Sequence, residues 1–212
     1  MTKIISLAKK ICSFGERQDK NLQLAITFIE KFLLKNDISY VISKYNVVVP
    51  KFIKSELKVD KKIINCSPSG LTSGKITTKK IINNLIEQKK EQKNINFNPL
   101  CKEISRMNFY KKAALTIKRD DVQKIKNSKK IDAILIVKKK KEIRKQILIG
   151  NLKNPQTIIF THLDSLGGES ATDNAISNAL ILEIVRNNKN ILNNCLFVYD
   201  SCEELSLNDN IY

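Results

Sequence analysis

The chain has 212 residues, of which 42% are hydrophobic, and a formal net charge of +17. This content can bury a core, which excludes a disordered or fibrous protein. No apolar run approaches the roughly 18 residues that span a bilayer, and the N-terminus lacks the unbroken apolar stretch of a signal peptide. The five cysteines are scattered without a CxxC pair, which favours free thiols in a reducing compartment. We therefore predict a cytoplasmic protein.

The positive charge raises nucleic-acid binding as a candidate function, because lysines that contact phosphates bind them strongly. The lysines are spread along the whole chain, however, and the densest run, "KKKKEIRK" at 138–145, contains no aromatic residue on which a base could stack. We expect a solvated lysine-rich surface, with this run at the solvent end of a hairpin. Nucleic-acid binding remains the less favoured alternative.

The first elements predicted along the chain are a short helix, a break at Gly15 and a second helix from about Asp19 to Lys35. Four apolar residues fall on one face of the second helix, at helical spacing: Leu22, Ile26, Ile29 and Leu33. The segment "ISYVISKYNVVVPKF" is rich in β-branched residues and predicts a strand, which we expect to end at Pro50.

The middle of the chain, from about Lys51 to Lys130, mixes short strands with Ser/Gly turns. The polar segment "TKKIINNLIEQKKEQKN" at 78–94 is typical of a helix. A strand, a helix that begins near Asp120 and a further strand follow. This alternation indicates a smaller lobe at 46–130 inserted into a main domain, which consists of 1–45 and 131–212.

The last block predicts a strand, a helix and a second strand. "QTIIFTHLD" is an apolar strand that ends at His162, and "NCLFVYDSCEEL" is a strand that ends at Cys202 to Glu204. The helix between them has inward positions at Ala175, Ala179, Leu182, Ile184 and Val185. A parallel βαβ unit is the default for this order. Ligands bind beyond the carboxyl ends of the strands in such sheets.

Five polar residues fall at this single edge: His162, Asp164, Asp173, Glu203 and Glu204. Asp164 can fix the tautomer of His162 and leave its other nitrogen free for a metal. Asp173, beside a helix N-terminus, stays ionised at little cost and could offer one oxygen to each of two zinc ions. Of the adjacent Glu203 and Glu204, one can bind metal while the other takes a proton from metal-bound water.

Each of these residues also has an ordinary structural interpretation. A lone histidine at a strand end is often a satisfied structural group, Asp-Asn before a helix is a common cap, and Glu-Glu after a strand is commonly solvated. Because all five fall at one edge of one βαβ unit, we favour the metal-site interpretation.

The order HxD, then DN opening a helix, then EE at the end of the next strand resembles the cocatalytic dizinc aminopeptidases and glutamate carboxypeptidases of peptidase clan MH. "FTHLDSLGGESATDNAISNALILEIVR" and "LFVYDSCEELSL" carry the resemblance, and "FGERQDKNLQLAITFIEKFL" is similar to the opening helix of the family. The resemblance implies an α/β fold with a mixed sheet flanked by helices and a smaller protease-associated-like lobe.

The same resemblance implies a zinc metallopeptidase of aminopeptidase type with a peptide substrate. His162 and Glu204 would bind zinc, Asp173 would bridge two zinc ions, Glu203 would be the general base and Asp164 would orient His162. Members take two further ligands, an Asp beyond the Glu pair and a second His. Here His162 is the only histidine, and Asp209 is the only carboxylate after Glu204.

Three interpretations of the missing ligands stay open. In the first, the chain is the N-terminal part of an aminopeptidase. In the second, it is a reduced paralogue that binds one metal or none and serves as a binding or assembly module. In the third, its missing ligands come from a second copy or from another chain. Each catalytic zinc needs three protein ligands and an open water position, and His162, Asp173 and Glu204 alone do not supply three ligands to each of two zinc ions.

Overall fold

The computed structural model describes residues 2–86, 91–106, 109–166 and 171–205, and the chain divides into two compact units. The first unit combines Met1–Val48 with Lys141–Tyr212, and the second is the intervening segment Val49–Lys140. Numbered along the chain, the two long strands β1 (Val41–Val59) and β8 (Ile131–Gly150) each contribute residues to both units. No helix within the described ranges is long and apolar enough to cross a membrane.

The first unit packs helices against strands that include a parallel pair. Its helices are α1 (Thr2–Cys12), α2 (Asp19–Lys35) and α4 (Ile176–Asn187), and its strands besides β1 and β8 are β9 (Thr157–His162) and β10 (Cys195–Asp200). β10 pairs with β9 in parallel, from Cys195 opposite Thr157 to Asp200 opposite His162, and with β8 in antiparallel. The predicted parallel βαβ arrangement of β9, α4 and β10 is confirmed.

One hydrophobic core joins these helices and strands. The four apolar residues predicted on one face of α2 are all buried, which confirms the helical pattern. They belong to the same core as Phe197 and Tyr199, which alternate along β10, and as the inward face of α4. On that face Ala175, Ala179, Leu182 and Val185 are buried as predicted, whereas Ile184 is only partly buried. This packing places α4, β9 and β10 around the same core.

The second unit contains a four-stranded sheet in the order β3–β7–β6–β5. Its elements besides β1 and β8 are β2 (Lys62–Ile64), β3 (Cys66–Pro68), β4 (Gly74–Ile76), β5 (Ile81–Asn83), β6 (Asn94–Phe97), β7 (Ala114–Ile117) and α3 (Val122–Lys126). β5, β6 and β7 run parallel, and β3 pairs with β7 in antiparallel. Ile95, Leu115, Ile117 and Ile125 are fully buried in its core.

Three local predictions from the sequence are wrong. β1 continues through Pro50 to Val59. A proline is tolerated within a strand where the sheet does not need its N–H as a donor. The lysine run is no hairpin end, because β8 continues unbroken from Ile131 to Gly150. Residues 138–141 of this run are exposed and include none of the glycine, asparagine or proline residues that turns require.

The third wrong prediction is the helix at 78–94. Residues 81–83 form β5 instead, because pairing with β6 buries Ile82 almost completely. The Asn84 N–H also donates to the Phe97 carbonyl at 3.1 Å. These tertiary contacts override the helical pattern of a polar segment. Residues 87–90 of the segment lie outside the described residues.

Candidate metal centre

The candidate site lies at the carboxyl ends of β9 and β10. His162 is the last residue of β9 and stands opposite Asp200, the last residue of β10. The Leu163 N–H donates to the Asp200 carbonyl at 2.7 Å, which extends the strand pairing by one more bond. Glu203 and Glu204 follow directly after this edge, so the strand pairing places both segments beside each other.

Asp173 enters the site from the segment that precedes α4. Its backbone is not helical (φ −118°, ψ 81°), and its peptide bond to Asn174 is cis. Ala175 is the N-cap of α4, and no side chain caps this helix. Asp173 is therefore no helix cap. Its Oδ1 atom instead lies 3.3 Å from Nε2 of His162.

His162 is buried, with 8% of its surface exposed, and contacts hold both sides of its ring. Nδ1 lies 3.0 Å from the backbone oxygen of Asp164 and 3.3 Å from its Oδ1 atom. The amide of Asn178 donates to the His162 carbonyl at 2.9 Å. A donor–acceptor contact at Nδ1 fixes the ring and directs Nε2 to the opposite side, as with histidine ligands of zinc.

Asp164 connects the histidine segment to the glutamate segment. Its side chain is completely buried, and its carboxylate accepts the N–H groups of Glu203 at 3.2 Å and of Glu204 at 3.0 Å. Charged acceptors of backbone N–H groups make strong hydrogen bonds. The position of both glutamates relative to His162 thus depends on one buried carboxylate.

His162, Asp173 and Glu204 each offer a ligand atom, and these three atoms lie within 4.8 Å of one another. Ligand atoms at about 2.0–2.2 Å from a tetrahedral zinc ion lie about 3.3–3.6 Å apart. The 3.3 Å between His162 Nε2 and Asp173 Oδ1 matches that spacing. One imidazole nitrogen and two carboxylates are donors that zinc accepts, so the residues fit a zinc ion.

Burial and hydrogen bonds oppose each other in setting the pKa of His162. Burial lowers it, but the contacts with the Asp164 and Asp173 carboxylates prevail and raise the pKa to about 10. The hydrogen bond with His162 in turn lowers the pKa of Asp173. Without a metal ion, the imidazole therefore carries a proton at neutral pH and pairs with both carboxylates.

The pKa values of Glu203 and Glu204 are shifted in the opposite direction to that of Asp173. Burial, followed by the charge of Asp173, raises the pKa of Glu204 to about 8. Burial also raises the pKa of Glu203, although the charge of His162 lowers it. A cation held close to these carboxylates would favour their ionised forms and so lower their pKa values.

The structure brings all five predicted residues together at one edge. Glu203 lies beside the three ligand atoms, with its Oε2 atom 3.9 Å from Nε2 of His162. The side chains of Asp173 and Glu203 are 51% and 45% exposed, which leaves the site open to solvent on their side. Asp209 and residues 167–170 of the quoted motif lie outside the described residues.

Sequence reasoning missed three residues of the site. Asn174 contacts Nε2 of His162 through its side-chain amide. The side chain of Asn178 accepts a hydrogen bond from the Thr161 hydroxyl at 3.1 Å and also donates to the His162 carbonyl. Arg17 donates to the backbone carbonyls of Leu163 and Asp173. A polar residue at an inward position of α4 was the available signal for Asn178. Nothing in the sequence around Arg17 indicates its partners, which lie far along the chain.

Solved structures of aminopeptidases share this architecture. A zinc aminopeptidase from Bacillus subtilis matches with a TM-score of 0.59 at 13% identity, over 94% of this chain and 60% of that chain. An aminopeptidase from Aneurinibacillus sp. strain AM-1 matches with a TM-score of 0.53 at 13% identity, over 96% and 63%. A peptidase M28 precursor from Shewanella amazonensis SB2B matches with a TM-score of 0.58 at 12% identity, over 95% and 63%.

No protein-family model matches the sequence, and neither does any curated protein. The chain spans about three fifths of the length of the solved structures that it resembles. Identities of 12–13% establish the fold alone. The predicted fold class is confirmed, and the chain has a mixed α/β fold of the zinc-aminopeptidase type.

Proposed function

We propose that this chain is a zinc-dependent metallopeptidase of aminopeptidase type, in which His162, Asp173 and Glu204 hold zinc. The observation that carries the proposal is the convergence of their three ligand atoms within 4.8 Å at the carboxyl ends of two parallel strands. A catalytic zinc site has three protein ligands and one open position. All three side chains reach a single position, so we expect about one zinc ion per chain from the described residues.

Zinc in this site would supply a Lewis acid that polarises the scissile carbonyl and makes a water molecule acidic near neutral pH. The protein residues divide the remaining tasks. Glu203 accepts the proton of the attacking water at its carboxylate and delivers it to the departing amine. Its raised pKa makes the carboxylate a stronger base for the first of these steps.

Asp164 acts through its neighbours. Its carboxylate contacts Nδ1 of His162 and accepts the N–H groups of both glutamates. It therefore fixes the position of the base Glu203 relative to the zinc ligands His162 and Glu204. The half-exposed side chains of Asp173 and Glu203 face the open side from which a peptide would enter. The Asp173 and Glu203 carboxylates would also attract the positively charged amino terminus of a peptide.

The first test is the zinc content of the purified chain after dialysis against trace zinc. We expect about one equivalent. His162→Ala and Asp173→Asn should each abolish uptake, while Asp120→Asn, whose side chain is 76% exposed in the second unit, should retain it. Zinc retained in both site variants would refute the assignment. Two equivalents would show that further ligands come from outside the described residues.

A second candidate is a metal-binding module without hydrolytic activity. The presence of a single histidine in the sequence favours it, because the resemblance implies a second histidine ligand for a two-zinc enzyme. Hydrolysis of aminoacyl-4-nitroanilides by the zinc-loaded chain separates the candidates. Loss of that activity in Glu203→Gln, with zinc retained, supports the peptidase. Zinc binding with no hydrolysis of any such substrate supports the module.

A further inference from the structure

Arg17 is completely buried, although the short connection between α1 and α2 in which it stands is otherwise near the surface. Burial of a charged group is costly unless hydrogen bonds and opposite charges compensate. The two described hydrogen-bond acceptors of its guanidinium group belong to segments of the candidate metal centre.

The guanidinium group joins the two segments that carry His162 and Asp173. Its Nε–H donates to the carbonyl of Leu163 at 2.5 Å, and its Nη2–H donates to the carbonyl of Asp173 at 2.9 Å. Leu163 lies between His162 and Asp164. Since the guanidinium is a rigid planar group with donors at fixed angles, two such bonds set the distance between the two segments.

The backbone of Arg17 is anchored to the same strand end. Its N–H donates to Oγ of Ser165 at 3.1 Å, and the Ser165 N–H donates back to the Arg17 carbonyl at 3.3 Å. The side chain of Gln18 also donates to the Ser165 carbonyl at 3.3 Å. Hydrogen bonds thus hold both the backbone and the guanidinium group of Arg17, so the residue acts as a brace, that is, a fixed link between the two segments.

The partners of the guanidinium group in these bonds are carbonyl groups. Its charge still interacts favourably with the carboxylates of Asp173, Asp164 and Glu204. Arg17 therefore compensates part of the negative charge of the site, while these two bonds use backbone carbonyl oxygens and not the carboxylate oxygens that could hold a metal.

We infer that Arg17 is a positioning residue, which fixes the spacing between His162 and Asp173 by bridging the carbonyls of their segments. Its effect on zinc binding rests on the proposed function. Its effect on the metal-free site does not, so the two can be tested separately.

The variant to test is Arg17→Lys, which keeps the charge but cannot donate two bonds at fixed angles. Arg144→Lys is the control, because Arg144 is also buried in the first unit and contacts Glu142 at 2.9 Å and the Ser201 carbonyl at 3.4 Å. Far-UV circular dichroism checks that both variants fold.

Hydrogen exchange of the metal-free protein measures the brace directly. In Arg17→Lys we expect the amides of residues 163–165 and 203–204 to exchange about tenfold faster, with the amides of α4 unchanged. Zinc affinity, measured by competition with a chelator, should fall about 10–100-fold in Arg17→Lys and stay within about threefold in Arg144→Lys.

Wild-type exchange and affinity in a folded Arg17→Lys variant would overturn the inference, and so would faster exchange with unchanged zinc affinity. If the wild-type chain binds no zinc, the proposed function fails, and the exchange result alone decides whether Arg17 braces the site. If Arg17→Lys does not fold, Ser165→Ala removes only the acceptor of the Arg17 N–H. Unchanged exchange in that variant at residues 163–165 would overturn the inference.

Discussion

Metal binding should release protons, because two of the three proposed ligands are protonated in the metal-free site. The pKa of His162 is raised to about 10 by its contacts with Asp164 and Asp173 against the effect of burial, and that of Glu204 is raised to about 8 by burial and the charge of Asp173. At pH 7 the first group is almost fully protonated and the second about nine-tenths. A divalent cation should therefore displace about 1.9 protons at pH 7 and about 1.2 at pH 8.5.

The direction in which metal affinity changes with pH follows from competition between protons and the metal ion for the same ligand atoms. Affinity should rise with pH, by nearly 100-fold per pH unit near pH 7 and by about tenfold per unit once Glu204 has ionised. Calorimetric titration in buffers of different ionisation enthalpy gives the number of protons from the slope of heat against that enthalpy. Cd²⁺ is the better probe, because water on zinc itself loses a proton near pH 7.

Glu204→Gln is the matched variant, since it removes one titrating ligand without changing the side-chain shape. It should release about one proton at pH 7, with weaker binding. Release of fewer than about one proton by the wild-type chain at pH 7, or the same number at pH 7 and pH 8.5, would refute the assignment of His162 and Glu204 as ligands.

Three further predictions concern single residues. Glu203→Gln should lower any peptidase activity at least about 100-fold in kcat while zinc affinity stays within about twofold, because its carboxylate moves protons. Asp164→Asn should destabilise the metal-free protein to urea by about 1–3 kcal/mol, since an amide cannot accept every N–H that the buried carboxylate accepts, and should weaken zinc binding about 10–100-fold. Asp200→Asn, in a similarly buried aspartate that accepts the Tyr45 hydroxyl, should lower stability alone. Leu182→Ala should cost about 2–5 kcal/mol in urea unfolding, whereas Leu180→Ala, 44% exposed, should cost far less.

The helices and strands of the first unit were predictable because their apolar residues have a clear period. α2 carries Leu22, Ile26, Ile29 and Leu33 on one face, and its observed bounds coincide with those predicted. The order of β9, α4 and β10 predicted that the polar ends of both strands meet, which is a consequence of parallel pairing. Short-range patterns thus located the edge where the candidate site lies.

Other features depend on contacts between distant residues, which no local pattern contains. β5 forms because β6 pairs with it, in a segment whose own pattern favours a helix. Arg17 contacts Leu163 and Asp173, more than a hundred residues further along the chain. The side-chain contacts of Asp164 with two backbone N–H groups likewise follow from how the ends of β9 and β10 converge. Sequence can place such residues near a site, but their partners come only from the tertiary fold.

The electrostatics of the candidate site contrast with those of the chain. The formal charge of the chain is +17. Among the described residues around His162, however, the charged neighbours are four carboxylates, those of Asp164, Asp173, Glu203 and Glu204. The positive charge of Arg17 interacts with three of them. A surface for phosphates would need the opposite arrangement, with lysines or arginines facing the ligand. A cation close to Glu204 would favour the ionised form of this carboxylate and lower its raised pKa. The local charge, rather than the net charge, is therefore the better guide to what this edge of the sheet binds.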